Sequence, residues 1–518
     1  MAQGGGISKG RATVLELFTR TRRTLRRGAA VLLCLAAAAG LPAAAQAPAR
    51  GWADEVLYFV LVDRFADGDA ANNRGVQPRN PGGWHGGDLK GLMQQLGELQ
   101  DLGITAIWIN PVQLQQARGM PASSAVGDFT HEGFHGYWMA DFEKLDPHFG
   151  SEGDLKALVD AAHARGIKVL LDVVYNHTGY TSVYADRRTA AGEKWLRLGE
   201  GNCEVDPVTC AVGGLPDLRT ELPEVREHVL AANIGLAKRT GVDGFRLDTY
   251  KHLSSEFWAE HRKRTRADIG KDFFLLAEYW GGTAQGLDGF FERDEVDSGF
   301  DFSFKGSCEG WVTGRGRSVA YGAYLRSRHQ VRKGYVLAHY LSSHDEPMAL
   351  GNLKGDKAAF RVCAGLQMAS LGMPVIYYGE EVARGGHEWP LNRNDMPWGA
   401  RDVKPGAGVA RDEAMRAFYK QLIALRKAHP ALRRGDYQLL MQPTDAVLAF
   451  GRHDTASGDR VIVLANRDDQ PRDADIAAPA GWPAAARDLL TGETVATADG
   501  RLKATLSPKT VRLLVPQP

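Results

Sequence analysis

The sequence predicts an α/β protein, a (β/α)8 TIM barrel with an inserted domain and a C-terminal antiparallel β domain. Eight short apolar runs follow one another along the chain, and amphipathic segments with helical periodicity lie between most of them. Strands that are apolar along their whole length are typical of parallel sheets buried on both faces, and eight of them favour a closed barrel. From about residue 437 the runs alternate and turn residues separate them, which predicts antiparallel strands.

The elements can be assigned in chain order from this pattern. The predicted strands cover residues 56–62, 104–109, 167–172, 241–247, 273–277, 297–302, 335–341 and 374–378. The predicted helices cover residues 89–102, 152–164, 223–238, 254–266 and 357–369. No GxGxxG motif follows an early strand, which argues against an open dinucleotide-binding sheet.

A long polar segment interrupts the alternation after the third predicted strand. Residues 178–222 pass without a predicted strand or helix and hold two cysteines. Loops of this length are usually functional or form small domains of their own. We therefore predict a catalytic barrel formed by residues 48–177 and 223–434, an inserted domain B at residues 178–222 and a C-terminal β domain at residues 435–518.

The first 47 residues have the composition of an export signal. Seven of them are basic and one is acidic, and the basic cluster at residues 22–27 precedes an apolar run at residues 29–41. The run is short for a membrane span, and small-residue cleavage sites follow it. We predict a signal peptide at residues 1–47, cleaved after about residue 45 or 47, and a secreted or periplasmic protein. An uncleaved anchor and a twin-arginine signal are the alternatives.

The chain after residue 47 is mildly acidic. It holds 56 basic and 61 acidic residues, a net charge of −5. This balance gives no electrostatic footprint for nucleic acid, and no later run is long and apolar enough to span a membrane. We therefore expect no nucleic-acid partner and, once the signal is removed, no membrane association.

Four cysteines follow the signal, and export would place them in an oxidising compartment. Cys203 and Cys210 flank a short polar loop, which favours a local disulfide over two free thiols. A metal site built from cysteine is not expected, because no CxxC pair or nearby histidine supplies the other ligands.

Polar residues collect at the ends of four predicted strands, where (β/α)8 barrels carry their function. They are Asp172, Asn176 and His177 after the third strand, Arg246, Asp248, Lys251 and His252 after the fourth, Glu278 after the fifth, and His344 and Asp345 after the seventh. A single carboxylate at such a place could belong to a structural ion pair. Three of them on one rim, Asp248, Glu278 and Asp345, each close to a basic or aromatic residue, indicate chemistry.

Two carboxyl groups that face each other across a pocket suit the cleavage of a glycosidic bond. One attacks the anomeric carbon, and the other protonates the leaving oxygen with a raised pKa. Asp248 suits the nucleophile, because the neighbouring Arg246 guanidinium favours the ionised carboxylate. Glu278 suits the acid/base, because its sequence neighbours are apolar or aromatic.

With these residues in place, the chain resembles the α-amylase family, glycoside hydrolase family 13, over essentially all of the sequence after the signal. The matching segments, in the family's order, are residues 103–111, 172–177, 215–218, 244–252, Glu278, 343–345 and 372–381. The resemblance implies a barrel, a B domain after the third strand and a C-terminal β domain. It also implies hydrolysis of α-1,4-glucosidic bonds with retention, through a covalent glucosyl-enzyme, and it is greatest to exported bacterial α-amylases.

The resemblance assigns roles to single residues. It makes Asp248 the nucleophile, Glu278 the general acid/base and Asp345 the carboxylate that steadies the distorted sugar. The residues that would line the cleaved sugar's subsite are His135, Tyr137, Trp138, His177, Arg246, His344 and Arg393. For Tyr137 and Trp138 the alternative is ordinary packing.

The pair Lys251 and His252 bears on the branch of the family. It looks like the pair that grips the leaving-group side in endo-acting α-amylases and cyclodextrin glucanotransferases. An endo-acting hydrolase of starch, glycogen or maltooligosaccharides is therefore the expectation, with an α-glucan as partner and a monomeric chain. A cyclodextrin- or pullulan-type hydrolase, a 4-α-glucanotransferase and a non-catalytic carbohydrate-binding relative are the alternatives.

The resemblance also implies calcium at two places, and both offer the hard oxygen donors that Ca²⁺ prefers. The first would use Asn176, Asp217 and the backbone carbonyl of His252. The second would use residues of an Asx-rich loop and of the segment after it, namely Asp67, Asp69, Asn72, Asn73, Gly86 and Asp88. A solvated turn is the alternative for the second place.

One position departs from the family pattern. In many relatives an aspartate that contacts the sugar lies four residues before the arginine matched by Arg393, and here Trp389 stands in its place. Either Glu388 substitutes for that aspartate, or Trp389 stacks on the sugar instead.

Overall fold

The computed structural model describes residues 51–123, 125–199, 201–440 and 445–517. The predicted signal peptide at residues 1–47 lies outside the described residues. Among the residues that are described, no helix is long and apolar enough to cross a membrane.

Eight parallel strands close into a barrel, which confirms the predicted fold class. In chain order they are β1 (Leu57–Val60), β2 (Ala106–Ile109), β3 (Lys168–Val173), β4 (Gly244–Leu247), β5 (Phe274–Ala277), β6 (Ser298–Phe300), β7 (Val336–Tyr340) and β8 (Met373–Tyr377). Each strand pairs with its neighbour in sequence, and β1 closes the barrel against β8. Strand β1 ends earlier than predicted, because the Val62 amide donates to the Asn110 side chain over 2.8 Å and a short helix, Val62–Phe65, begins there.

Helices connect the strands and cover the barrel. The longer ones are α1 (Leu89–Gln94), α2 (Leu96–Leu102), α3 (Glu152–His163), α4 (Pro223–Thr240), α5 (Ser255–Asp268), α6 (Ala284–Glu292), α7 (Ser303–Val312), α8 (Ser318–Ser327), α9 (Lys357–Ala369) and α10 (Glu413–Ala428). All five predicted helices are present, although the first is divided at Gln95, where the backbone departs from helical angles. Helix α3 begins with a capping box in which Ser151 and Asp154 bond each other's backbone amides, and this fixes its first turn.

Two long connections rise from the barrel after β2 and β3. The first carries the antiparallel pairs Gln113–Gln115 with Met139–Leu145 and Met120–Pro121 with Thr130–His131. The second, between β3 and α4, carries the pair Leu196–Arg197 with Asp217–Leu218. It also holds the Cys203–Cys210 disulfide, with 5.1 Å between the two Cα atoms, which confirms the predicted pairing. The boundaries of the inserted domain remain a prediction.

The C-terminal part forms an eight-stranded antiparallel sheet, as the alternating pattern predicts. Its strands are β9 (Asp436–Leu439), β10 (Val447–Asp454), β11 (Asp459–Asn466), β12 (Arg472–Ala477), β13 (Ala485–Asp488), β14 (Thr494–Ala498), β15 (Arg501–Leu506) and β16 (Thr510–Gln517). They lie in the order β9-β10-β11-β16-β13-β14-β15-β12. A second disulfide, Cys308–Cys363, joins α7 to α9.

Candidate active site

The strand register brings the predicted site residues together at one end of the barrel. Arg246 of β4 is paired with Asp172 of β3, and Leu247 of β4 is paired with Ala277 of β5. Asp248 and Glu278 are the residues that follow β4 and β5, so both carboxylates emerge from the carboxyl ends of adjacent strands. Function in barrels of this kind is built at that end.

The Arg246 guanidinium contacts three carboxylates at once. Its Nη1 donates to Asp172 Oδ1 over 3.0 Å and to Asp248 Oδ1 over 2.7 Å. Its Nη2 lies 2.8 Å from Glu278 Oε1. The Arg246 side chain is buried, so these contacts are made away from solvent, where charge interactions are strong. The sequence suggested a pair of Arg246 with Asp248, and the structure adds two further carboxylates to it.

Asp248 presents one open oxygen. Its Oδ1 accepts the hydrogen bond from Arg246, whereas its Oδ2 is buried and has no hydrogen-bond partner within the part of the chain that the structure describes. A buried polar atom without a partner is costly, and in a concave site it indicates a position meant for a ligand.

Glu278 is held by two donors and is buried. Besides Arg246, the Thr249 amide donates to Glu278 Oε2 over 2.8 Å. Thr249 has a φ of 47°, in the left-handed region that a β-branched residue rarely adopts, and strain of this kind collects at functional sites. Burial raises the pKa of Glu278 to about 8, and the Arg246 charge opposes that rise only in part.

The sequence placed Asp172 among the polar residues at the strand ends but assigned it no role. The Trp108 indole donates to its Oδ2 over 3.0 Å, and the Tyr137 hydroxyl donates to the same oxygen over 2.7 Å. Burial raises the pKa of Asp172 to about 7. Its position at the end of β3 is the signal from which its role could have been recognised, because it obeys the same strand-end rule as Asp248.

Neutral rings line the wall beside the carboxylates. The Tyr137 ring stacks between His344, at 5.3 Å between centroids, and His135, at 5.7 Å. Trp138 meets His135 edge-on at 4.8 Å. Burial lowers the pKa of His135, His177 and His344, so all three rings are uncharged near neutral pH. The His177 Nε2 and the His344 Nδ1 are buried without a partner among the described residues.

Asp345 forms the opposite, more open side of the site. It is 31% exposed, and its Oδ1 lies 3.2 Å from Nη2 of Arg393. The Arg393 Nε–H also donates to the His344 carbonyl over 2.9 Å. A small cavity lies here, and its wall includes Arg246, Glu278, His344, Asp345 and Trp280.

Lys251 and His252 lie in the short helical turn Tyr250–His252 that follows Asp248. The Lys251 side chain is half-buried. The His252 ring is buried, and its Nδ1–H donates to the Pro207 carbonyl over 2.7 Å. Pro207 belongs to the loop closed by the Cys203–Cys210 disulfide.

The first candidate calcium site has two open oxygen donors. Asn176 Oδ1 and Asp217 Oδ1 are both buried without a hydrogen-bond partner among the described residues. The Leu218 amide donates to the Asn176 carbonyl over 2.8 Å, so the two segments are adjacent. The Arg197 guanidinium pairs with Asp217 through its other oxygen, Oδ2. Unpaired hard oxygens of this kind fit a calcium ion.

The second candidate calcium site is more fully bonded. Asp88 caps α1 by accepting from the Gly91 amide, and Asp69 pairs with Lys90 over 2.5 Å. Asn72 Oδ1 and Asn73 Oδ1 are nevertheless buried without a partner in the described chain. The six predicted residues lie together: Asn73 donates to Asp67, Asn72 donates to Asp88, and a Cβ on Gly86 would lie 2.6 Å from Asn73 Oδ1. The arrangement fits an ion held by amide oxygens and Asp67.

Trp389, the residue near Arg393 that departs from the family pattern, belongs to an aromatic cluster. The Trp389 ring lies 5.0 Å from His131 and 5.4 Å from Phe129, as measured between centroids. His131 in turn lies 4.6 Å from Trp138, so aromatic rings continue outward from the wall of the site. Glu388 is 74% exposed, and its carboxylate is 3.7 Å from His387.

Comparisons with known proteins agree with this fold. The family described as alpha amylase, catalytic domain, matches residues 59–196 and 208–398. Neopullulanase 2 of Thermoactinomyces vulgaris is 30% identical over 483 residues, which cover 88% of this chain and 77% of that protein. Periplasmic alpha-amylase of Escherichia coli strain K12 is 28% identical over 488 residues, covering 75% of this chain and 69% of that protein. A solved alpha-amylase structure from Anoxybacillus matches with a TM-score of 0.79 at 29% identity, over 90% of this chain and 99% of that one.

Proposed function

Because the chain belongs to the α-amylase family of glycoside hydrolases, we propose that it hydrolyses internal α-1,4-glucosidic bonds of starch, glycogen or maltooligosaccharides with retention. The observation that carries the proposal is the buried Arg246 that holds Asp248 and Glu278 together, with one oxygen of Asp248 left open. This arrangement places two carboxyl groups side by side, and the raised pKa of Glu278 is what the chemistry requires of the acid/base.

The reaction proceeds in two displacements. Asp248 Oδ2 attacks the anomeric carbon while Glu278 gives its proton to the glycosidic oxygen, so that bond breaks and the leaving sugar departs as an alcohol. The ionised Glu278 then takes a proton from water, and the resulting hydroxide attacks the same carbon and releases Asp248. Two inversions give net retention, and Glu278 ends protonated as it began.

The residues around this pair bind and orient the sugar. The Tyr137 ring, held between two histidine rings, adds apolar contact for the pyranose at the wall of the site. The unpartnered ring nitrogens of His177 and His344 are placed to bond sugar hydroxyls. Asp345, fixed by Arg393, accepts from hydroxyls of the distorted ring. These interactions strengthen as the ring flattens toward the transition state.

A cyclodextrin- or pullulan-type hydrolase is the second candidate. The name of the Thermoactinomyces vulgaris relative, neopullulanase, favours it. The Lys251 and His252 pair after Asp248 favours the endo-acting amylase instead. We place the amylase first, because that pair lies in this chain's own site.

The proposal is tested by following products on soluble starch, pullulan and β-cyclodextrin in parallel. We expect a rapid fall in the iodine stain of starch, linear maltooligosaccharides of mixed length, and α-anomers as the first products by proton NMR. Faster turnover of cyclodextrin or pullulan than of starch would favour the second candidate. Products of β configuration would contradict the retaining mechanism.

Calcium is proposed at the two sites described above. Asn176, Asp217 and the His252 carbonyl would hold one ion, and the loop of Asn72 and Asn73 would hold another. The ion supplies positive charge that joins oxygen donors from separate segments of the chain.

Chelation is expected to destabilise the protein. An ion bound only by the folded state adds stability in proportion to the logarithm of its concentration over Kd, so excess EDTA should lower the Tm by about 5 °C or more. The check is the Tm with EDTA and with calcium restored. Asn176→Ala should lower the Tm in calcium and show a smaller response to EDTA, whereas Asn202→Ala, in the exposed loop, should respond like the unaltered chain. An unchanged Tm in EDTA would contradict both ions.

Trp389 is expected to determine binding on the non-reducing side. A stacked aromatic ring contributes about 1 kcal/mol, so Trp389→Ala should raise KM for maltohexaose about five- to tenfold and shift the products toward different lengths. Glu388→Gln is the matched control, because its carboxylate is 74% exposed. A larger effect from Glu388→Gln than from Trp389→Ala would assign the contact to Glu388 instead.

We further propose that the chain is exported. The predicted signal at residues 1–47, the two disulfides and the similarity to a periplasmic alpha-amylase support this. Fractionation of cells that express the full chain would test it, with N-terminal sequencing of the mature protein to locate the cleavage site.

A further inference from the structure

The loop between Cys203 and Cys210 lies against the ring of His252. The His252 Nδ1–H donates to the Pro207 carbonyl oxygen over 2.7 Å. The buried Cys210 sulfur lies 3.9 Å from the same nitrogen. Both disulfide sulfurs and a His252 ring nitrogen fall within 4.8 Å of one another. The disulfide therefore lies beside the His252 ring, next to the nitrogen whose hydrogen bond to Pro207 orients that ring.

Local hydrogen bonds shape the rest of the loop. Asp206 Oδ1 accepts from the Val208 amide over 2.9 Å, and Asp206 Oδ2 accepts from the Thr209 hydroxyl over 2.5 Å. The Asp206 amide donates to the Asn202 carbonyl over 2.9 Å. A cross-link between residues seven apart adds to these bonds by removing conformations of the open loop. The Pro207 carbonyl is therefore held in a fixed place at the ring.

The position of the His252 ring would affect the binding of sugars on the leaving-group side of the cleaved bond. His252 comes four residues after Asp248, and with Lys251 it resembles the pair that grips the leaving-group side in endo-acting α-amylases. With Nδ1 engaged by a carbonyl, Nε2 on the opposite edge of the ring is the atom left for a sugar hydroxyl. The loop also carries Val205, an apolar side chain that is 80% exposed.

We propose that the Cys203–Cys210 disulfide is a positioning element for the leaving-group side of the site, and that its reduction weakens binding of the sugars beyond the cleaved bond. The inference rests on the proposed function. A dithiol such as dithiothreitol gives two electrons and two protons to the bridge, so the S–S bond breaks, two cysteine thiols form and the reagent becomes a cyclic disulfide. The opened loop then no longer fixes the Pro207 carbonyl against His252.

Two substrates separate this role from general support of the fold. Maltohexaose fills the leaving-group side with glucose units, whereas an aryl α-maltotrioside places only a phenol there. In the Cys203→Ser/Cys210→Ser variant the ratio of kcat/KM for maltohexaose to that for the aryl substrate should fall about fivefold, the value of one positioned hydrogen bond, and the change should lie in KM. The aryl substrate alone should be cleaved nearly as before.

The second disulfide supplies the matched control. Cys308→Ser/Cys363→Ser removes a buried bridge between α7 and α9, and it should leave the ratio unchanged. Dithiothreitol added to this variant reduces Cys203–Cys210 alone, so the fivefold fall should appear without any change in the loop sequence. This arm gives an answer even if the Cys203→Ser/Cys210→Ser variant does not fold.

The outcomes are distinct. A ratio that stays constant under dithiothreitol overturns the inference, and so does an equal loss of activity on both substrates, which would mean that the bridge only supports the fold. An unaltered chain that cleaves neither substrate would instead overturn the proposed function, and the inference with it.

Discussion

Asp248→Asn should lower kcat on soluble starch by about 10⁴-fold or more, because an amide cannot form the glycosyl ester on which retention depends. Asparagine has nearly the shape of aspartate and can still accept from Arg246, so the fold should be preserved. The check is kcat on starch together with mass spectrometry after incubation with a 5-fluoroglycosyl fluoride. The unaltered chain should gain the mass of one sugar on the peptide that contains Asp248, and the variant should gain none.

Asp301→Asn is the matched control for this prediction. Asp301 is also buried, and it directly follows the barrel strand β6. It also pairs with an arginine, because its Oδ2 lies 2.8 Å from Arg328 Nε. Both of its carboxylate oxygens accept hydrogen bonds from protein groups, whereas Oδ2 of Asp248 is open. The Asp301 variant should therefore have a lower Tm and a kcat close to that of the unaltered chain. If Asp248→Asn behaved in the same way, Asp248 would belong to a structural ion pair and the nucleophile would have to be sought elsewhere.

A single arginine contacts three acidic side chains in the site, so its charge cannot balance all three of them. Arg246 carries a single charge and faces Asp172, Asp248 and Glu278 in a buried setting. Three ionised carboxylates would leave a net negative charge with little solvent to screen it, which is costly. Protons are therefore retained on the groups with the highest pKa, which are Glu278 at about 8 and Asp172 at about 7. The charge of the arginine is then available to Asp248.

The sequence predicted the members of this cluster but not its connectivity. Glu278 and Asp248 could be located because apolar runs mark where strands end, and the carboxyl ends of parallel strands meet. The contact of Arg246 with Asp172 depends on the register of β3 and β4, in which the two residues are direct partners. Strands buried on both faces are apolar along most of their length, so neither run shows an alternation from which the register could be predicted.

In the fold, too, features marked by a local pattern were predictable, whereas features that depend on distant residues were not. Every predicted barrel strand overlaps an observed strand, because burial on both faces leaves a continuous apolar run in the sequence. The early end of β1 depends on the Asn110 side chain, which comes from the neighbouring strand's end and not from the run itself. The Cys203–Cys210 disulfide was predictable from its short loop, whereas Cys308 and Cys363 are 55 residues apart and meet only because α7 packs on α9.

The aromatic cluster at Trp389 concerns a choice that the sequence left undecided. The sequence left Glu388 and Trp389 as alternatives, because adjacent residues on a loop can face opposite sides. In the structure Glu388 is directed to solvent and Trp389 packs on His131 and Phe129. Those two partners come from the connection after β2, so the choice depends on two loops that are distant in sequence.

Glu278→Gln should lower kcat/KM on maltohexaose by about 10³-fold or more, because glutamine cannot protonate the leaving oxygen. The loss should be much smaller for formation of the glycosyl-enzyme from a glycosyl fluoride, since fluoride leaves without a proton. Azide, which attacks the glycosyl-enzyme without a general base, should restore turnover of the glycosyl fluoride by the variant. The product should be an α-glycosyl azide. Azide rescue would not follow from a variant that is merely misfolded.

The pH profile gives a second, independent sign of the same role. Glu278 must be protonated to act as the acid, so kcat/KM of the unaltered chain should fall as the pH rises through its pKa of about 8. In Glu278→Gln this basic limb should disappear. Glu309→Gln is the control, because burial raises the pKa of Glu309 to about 7 but its carboxylate bonds Asn352 away from the reacting bond. It should keep the basic limb, and a Glu278→Gln profile that also kept it would transfer the role of the acid to another group.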